Sequence, residues 1–335
     1  MRSRGYLLIP VLLLLTVTAL LSCTLGSYPI SLPEMGQLLM GKLENTTLSG
    51  VFWQLRVPRV VMGLTAGCAL GLAGGVYQLL FRNPLASPDL TGVASGASLG
   101  AALALVLGGG GWWLMMAGSF ALGILSLILV LLLVEFSGIR RTGSYVLAGI
   151  VIASAAEAGL MLLKYMADPT GELAAIEFWT MGSLGKVTAS RVYPCLPLIL
   201  LPMALMLCFG KQLLLLSQGS AQARQLGLAP GLWRGILLGL ATWMTAGVIS
   251  VTGAIAFVGL IAPHIAFSLY RRRGGLYLLF CMAVGGELLL AADILARMLV
   301  PYAELPLSIL TVAFSLPVLL LALRRRRKEA YGTDF

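Results

Sequence analysis

Residues 112–134 read WWLMMAGSFALGILSLILVLLLV, 23 positions without one charged side chain. At about 1.5 Å of rise per residue, such a helix is long enough to cross the roughly 30 Å hydrocarbon core of a bilayer. Nine further apolar stretches flank it: Tyr6–Leu25, Arg59–Leu80, Leu90–Leu107, Tyr145–Met166, Val192–Phe209, Leu232–Val251, Ala254–Leu269, Leu276–Val300 and Leu305–Leu323. The one from Ala254 is short and is broken by Pro263. Hydrophobic residues make up 59% of the chain and charged ones only 11%, against roughly 25% charged in a soluble domain. The expected fold class is therefore all-α, a polytopic integral membrane protein of about ten transmembrane helices. Residues 1–335 form a single transmembrane domain in this reading.

Charge fixes the orientation. With the N-terminus inside, the inner segments hold Arg2, Arg4, Arg82, Arg140, Arg141, Lys211, Arg224, Arg234, Arg271–Arg273, Arg324–Arg327 and Lys328, which is 16 of the 23 Lys and Arg residues. Lys42, Arg56, Arg59, Lys186, Arg191 and Arg297 lie outside or at outer helix ends, and Lys164 lies within a span. This bias obeys the positive-inside rule, with both termini cytoplasmic and a basic tail over 324–335. The formal charge of +10 is mostly a topology signal. Nucleic acid is excluded as a partner, because the basic residues are scattered over loops without a contiguous face or interleaved aromatics.

The start of the chain has a second reading. Arg2 and Arg4, an apolar run and then Leu20-Leu21-Ser22-Cys23 resemble a signal peptide with a lipidation site, although the run is nearly long enough to span. Cys23, Cys68, Cys195, Cys208 and Cys281 all sit in apolar spans without CxxC spacing, and the single histidine is His264. No metal site follows, and the cysteines read as small packing residues. Gly182-Ser183-Leu184-Gly185-Lys186 looks like part of a phosphate loop. Its first glycine is misplaced, though, and Val187 stands where Ser or Thr must hold magnesium. Catalytic motifs are absent.

Glycine repeats at a four-residue step mark two spans: Gly63, Gly67, Gly71 and Gly75, then Gly92, Gly96 and Gly100 followed by Ala104. Each stripe reads as a face for close helix packing, since dispersion between backbones substitutes for hydrophobic drive in lipid. Charges inside spans are expensive and must face protein or water. Glu157 and Lys164 share one face of the fifth span. Glu157 reads equally as part of a solute pathway or as an interhelical contact. In the ninth, Glu287 precedes Asp293 and Arg297, whose i,i+4 spacing suits a helical ion pair.

Residues 82–97, RNPLASPDLTGVASGA, resemble the RNPLADPDLLGVSSGA signature of FecCD-type permeases, the importers of iron–siderophore complexes, haem and vitamin B12. Arg82, Asn83, Pro84 and Asp89 carry that match. Further matches fall in order: Leu55-Arg56-Val57-Pro58-Arg59, Phe178–Leu184, Gly253–His264 with Pro263 and His264 at its end, and Ala303-Glu304-Leu305-Pro306. The resemblance covers nearly the whole chain from about Tyr28. Three departures stand out. Phe267 occupies a usual basic position, with Arg271–Arg273 close by to supply the charge. Ser220 and Ala221 replace two acidic residues of the loop over 216–228, and Ser315-Leu316-Pro317-Val318-Leu319 replaces GAPFF.

The resemblance implies a type II ABC importer permease with an inverted repeat, spans two to five against seven to ten. It implies a homodimer in the bacterial inner membrane, a separate cytoplasmic ABC ATPase dimer that holds ATP and magnesium, and an extracytoplasmic solute-binding protein. The substrate would be a metal chelate, an iron–siderophore first, haem or cobalamin also. This chain itself would hold no cofactor and do no covalent chemistry. The loop 216–228 would be the coupling helix, capped by Ser217, running through Ala223, Arg224 and Leu226 and ended by Gly227. Arg56, Arg59 and Arg297 would dock the binding protein. Thr142, Gly143 and Ser144, in the loop Arg140–Tyr145, would form the cytoplasmic gate of a pathway that passes Glu157. The competing reading is an ion-coupled secondary transporter, in which Glu157 and Asp293 bind protons or sodium.

Overall fold

The computed structural model describes residues 4–26, 28–42, 46–138, 142–300 and 303–331. Among the described residues every regular element is helical. Ten helices occupy the expected spans: α1 (Leu8–Thr24), α2 (Val57–Leu80), α3 (Val93–Gly108), α4 (Trp112–Ser137), α5 (Thr142–Met166), α6 (Leu196–Cys208), α7 (Pro230–Thr252), α8 (Val258–Tyr270), α9 (Gly275–Met298) and α10 (Leu307–Tyr331). Seven helical segments are long and apolar enough to cross a membrane, and α3, α8 and the first part of α10 are shorter apolar helices. α10 runs on as helix into the basic tail, and residues 332–335 fall outside the described residues.

Two spans begin elsewhere than expected. Helix continues upstream of α2 from Thr46, through a π-helical stretch Val51–Arg56 in which the Val57 amide donates to the Phe52 carbonyl. One extra residue in that turn re-aims the side chains before α2. α8 starts at Val258 and not at Ala254, because α7 ends on Gly253 and Phe257 adopts a left-handed φ of 67°. Pro263 does not end α8; the helix continues past it to Tyr270. A proline supplies no N–H to the carbonyl four residues back, here Gly259, and that carbonyl lies against the bare Cα of Gly74 on α2.

The packing has the two-fold logic of an inverted repeat. α2 packs on α9 as α7 packs on α4, α3 packs on α4 as α8 packs on α9, and α2 packs on α8 as α7 packs on α3. α2 and α7 meet at the centre and are buried along most of their length. Leucine-rich faces of α1 and α4 remain exposed, as lipid-facing helices require. The glycine stripes supply the closest approaches. A Cβ at Gly67 would overlap the Gly285 carbonyl of α9, one at Gly71 the Cys281 carbonyl, and one at Gly100 the Gly118 carbonyl of α4.

Candidate functional site

At the end of the bundle that the charge bias assigns to the outside, five charged side chains interlock. The Arg59 guanidinium donates from Nε to Asp293 Oδ1 at 2.9 Å, and from Nη1 and Nη2 to the two Glu304 oxygens at 2.6 and 2.9 Å. Asp293 is fully buried, and its second oxygen meets Arg297 Nη2 at 2.9 Å. Arg297 also donates to the Ser22 hydroxyl at 2.7 Å and to the Leu25 carbonyl at 3.0 Å. Arg56 donates to the carbonyls of Leu25 and Tyr28. Helix geometry makes this possible: Asp293 and Arg297 are one turn apart on α9, and the π turn brings Arg56 to the end of α1 while Arg59 turns to α9. The network ties α1, α2, α9 and the segment before α10 together.

The three arginines expected to dock the binding protein all lie in this network. Arg56, Arg59 and Arg297 are 7%, 9% and 9% exposed, and their donors are engaged within the chain. A buried guanidinium requires paired acceptors, and Asp293, Glu304 and the last carbonyls of α1 supply them. Glu304 and Ser22 were not singled out from sequence. Glu304 could have been, as a carboxylate within a matched motif on the same side as three out-of-place arginines.

Directly beneath, three of the matched motifs converge on non-helical backbone. The Ser183 amide donates to the Thr252 carbonyl at 2.8 Å, and the Leu307 amide to the Gly182 carbonyl at 3.0 Å. The Ser308 hydroxyl donates to the Ala254 carbonyl at 3.0 Å and accepts from the Ala256 amide at 3.3 Å. Irregular backbone at membrane depth is tolerated where protein buries and satisfies it. Gly253 has φ 74°, and a Cβ there would overlap the Trp179 carbonyl. A side chain is excluded at that point by space as well as by conformation.

The charges of α5 separate. Lys164 pairs with Glu177 at 2.8 Å, on the helix Glu172–Met181. Glu157 accepts from the Ser95 hydroxyl of α3 at 3.0 Å and stays exposed, on a face with Leu147, Ile150, Val151 and Met161. Glu287 accepts from Thr18 of α1 at 2.9 Å. Asp293, bound by two arginines, is no ion-binding carboxylate in this arrangement, which removes one of the two groups needed for ion coupling.

At the opposite end, the loop after α6 forms two short helices, Gly210–Gln218 and Ser220–Gln225, with a break at Gly219 (φ 132°). Ser217 is therefore not the cap. Its hydroxyl turns back to the Leu214 carbonyl at 2.7 Å, and Gly219 stands at the N-cap. The far end is as expected. The Gly227 amide donates to the Arg224 carbonyl and the Leu228 amide to the Ala223 carbonyl, both at 3.0 Å, with Gly227 at φ 82°. This is a Schellman end, in which the left-handed position favours glycine. Ala223 is buried against the bundle, whereas Arg224, Gln225 and Leu226 are exposed.

The neighbouring elements are tied to these helices. Arg234 Nη2 donates to the Ser220 hydroxyl at 3.4 Å, and its guanidinium lies 6.0 Å from the Tyr145 ring centre. Tyr145 packs on Phe81 at 5.8 Å. The expected gate loop is helical here: Thr142 opens α5, Gly143 and Ser144 lie in its first turn, and residues 139–141 fall outside the described residues. The turn containing Arg82, Asn83, Pro84 and Asp89 is closed by its own bonds. Asn83 accepts from the Leu85 amide at 3.0 Å, and Ser87 donates to Asp89 at 3.4 Å. Tyr77 pins it through Thr91 and Thr242. The half-buried His264 follows Pro263 inside α8, and its carbonyl accepts from Ser268 at 3.1 Å. Arg273, in the loop after α8, lies over the Phe267 ring at 5.7 Å.

A family model described as the FecCD transport family matches residues 13–325. The chain is 36% identical over 337 residues to the "Vitamin B12 import system permease protein BtuC" of Klebsiella pneumoniae subsp. pneumoniae, covering 97% of this chain and 95% of that protein. It is 35% identical to the protein of the same name in Citrobacter koseri over 283 residues, 82% of this chain and 83% of that one. Among solved structures, "an inward-facing conformation of a putative metal-chelate type ABC transporter" superposes with a TM-score of 0.84 at 30% identity, covering 96% of this chain and 99% of that one. PsaBC from Streptococcus pneumoniae in complex with Fab shares the fold, with a TM-score of 0.57 at 17% identity over 86% of this chain and 94% of that one.

Proposed function

The chain belongs to the FecCD transport family, and we propose the following working parts for it as the membrane-spanning permease subunit of an ATP-binding-cassette importer. A second copy completes the pathway around a two-fold axis, and both termini face the cytoplasm. A separate ATPase dimer holds ATP and magnesium, and this chain holds no cofactor. An extracytoplasmic binding protein delivers a metal chelate. The observation that carries this reading is the exposed α5 face with Glu157 on it. A carboxylate turned to lipid near the bilayer centre costs about 2.5–3.5 kcal/mol on insertion scales. A water-filled path between two copies removes that cost.

Vitamin B12 import by relatives at 35–36% identity makes cobalamin the first chelate to test, ahead of iron–siderophores and haem. In proteoliposomes containing permease, ATPase and binding protein, one of these chelates should accumulate only with ATP inside the ATPase compartment. Glu157→Ala should change its uptake without loss of folded protein. Accumulation that survives omission of the ATPase would make the protein an ion-coupled transporter instead.

Coupling runs through the helix Ser220–Gln225, whose exposed residues Arg224 and Leu226 offer one charge and one apolar contact to the ATPase. Gly227→Val tests it. No heavy atom lies within 4 Å of a Cβ at Gly227, so the substitution acts through its φ alone, at about 1–2 kcal/mol. The permease should fold normally while ATPase stimulation by loaded binding protein falls severalfold. Unchanged stimulation would take the coupling role away from this segment.

A further inference from the structure

We infer that Arg271, Arg272 and Arg273, in the loop between α8 and α9, hold the headgroup of an anionic phospholipid of the adjoining leaflet. The inference goes beyond the importer reading. It needs only that this loop lies at a membrane surface, which the charge bias makes the cytoplasmic one. All three side chains are exposed. Among the described residues no carboxylate pairs with any of them.

The backbone gives an independent reason to look outside the chain. α8 ends where the Arg271 amide donates to the Phe267 carbonyl at 2.8 Å, and Arg271 itself takes the left-handed conformation, with φ 54° and ψ 13°. Glycine adopts that conformation freely, whereas an L side chain does so against steric resistance. An arginine at this point strains the backbone, and no partner within the described chain compensates. Strain of this kind persists where the side chain has a task, and the task of an unpaired guanidinium is to meet an anion.

The surroundings select a lipid anion. Arg273 stands over the ring of Phe267, which is 42% exposed, and Leu276 and Leu279 at the start of α9 are 41% and 38% exposed. Three cations above an exposed apolar strip match a phosphate above its acyl chains. The short helical turn Arg4–Leu7 packs on α8 and leaves Tyr6 exposed, an aromatic of the kind that marks the level of a bilayer interface. The coupling segment approaches α9 from another side. Helix Gly210–Gln218 meets it at the buried Leu278, 3.9 Å from a Cβ at Gly210. Leu276 and Leu279 lie on other faces of that helix, so the strip is turned away from the side where an ATPase would sit.

The test measures binding of tail-labelled phosphatidylglycerol to the full-length permease in uncharged detergent, with phosphatidylcholine of the same chains as reference. The parent should bind the anionic lipid about tenfold more tightly at low salt, and the preference should shrink as salt rises. Arg271→Gln with Arg272→Gln and Arg273→Gln should abolish it, whereas Arg→Lys at the same three positions should keep most of it. Lys211→Gln, on the coupling side, should change nothing. Arg271→Gly separates charge from structure. It should weaken the preference severalfold while the thermal midpoint in neutral detergent holds or rises, because glycine relieves the left-handed strain. This variant decides the matter if the triple change lowers folded yield. A parent without preference, or a parent-like preference in either folded variant, would overturn the site. Displacement of the lipid by millimolar inorganic phosphate would overturn the lipid assignment in favour of a free-phosphate site. Loss of ATPase assembly in the triple Gln variant, with its lipid preference intact, would assign the patch to the ATPase instead.

Discussion

Asp293→Ala should remove most of the folded permease, because it strips the shared acceptor from two buried guanidinium groups. Arg59 would retain Glu304, and Arg297 would retain Ser22 and the α1 carbonyls. Three buried or nearly buried cations would then share one carboxylate. Breaking a buried pair by removing one partner typically costs about 3–5 kcal/mol, a large part of any domain's stability. Heating followed by fluorescence-detected size exclusion should show this as a strongly lowered midpoint or an absent monodisperse peak. Asp293→Ala combined with Arg297→Leu should recover part of the loss, since the pair couples non-additively. A single variant as stable as the parent would mean that the network contributes nothing. Charge reversal at Arg59 belongs to the same class of change. It would place a third carboxylate against Asp293 and Glu304, so folded yield must be measured alongside binding-protein association in such a variant.

Gly74→Leu should be nearly as damaging, for a steric reason. A Cβ there would overlap the carbonyl carbon and oxygen of Gly259, which are backbone and cannot rotate away. α2 and α8 would have to separate, and α2 is already held against α9 by the reciprocal approach of Gly67 and Gly285. Overpacking of a tight core commonly costs about 1–3 kcal/mol, and a leucine at a backbone–backbone contact lies at the upper end. Gly235→Leu and Gly239→Leu on α7 provide the control, since no heavy atom lies within 4 Å of a Cβ at either position. The same size-exclusion assay should separate the two groups clearly. Equal behaviour of Gly74→Leu and Gly239→Leu would show that the α2–α8 contact is not tight.

Hydropathy determined the ten helices, and the distribution of arginine and lysine argued their direction, because the bilayer imposes length and charge rules that act on each segment separately. Spacing alone also gave the Asp293–Arg297 pair and the glycine stop at Gly227, since both are local to one helix turn. The glycine stripes were legible as packing faces, but not their partners: α2 serves α9 with one stripe and α8 through Gly74, which lies off it. What the sequence left open was every question that depends on a distant residue. The partners of the outer arginines, Asp293, Glu304 and the end of α1, lie on other elements and cannot be read from spacing. Ser217 read as a cap until Gly219 broke the helix after it. The start of α8 depended on Ser308 and Trp179, more than 50 residues away in either direction. Hydrogen bonds and ion pairs of buried groups are satisfied by whatever the fold brings near, and only the tertiary structure decides what that is.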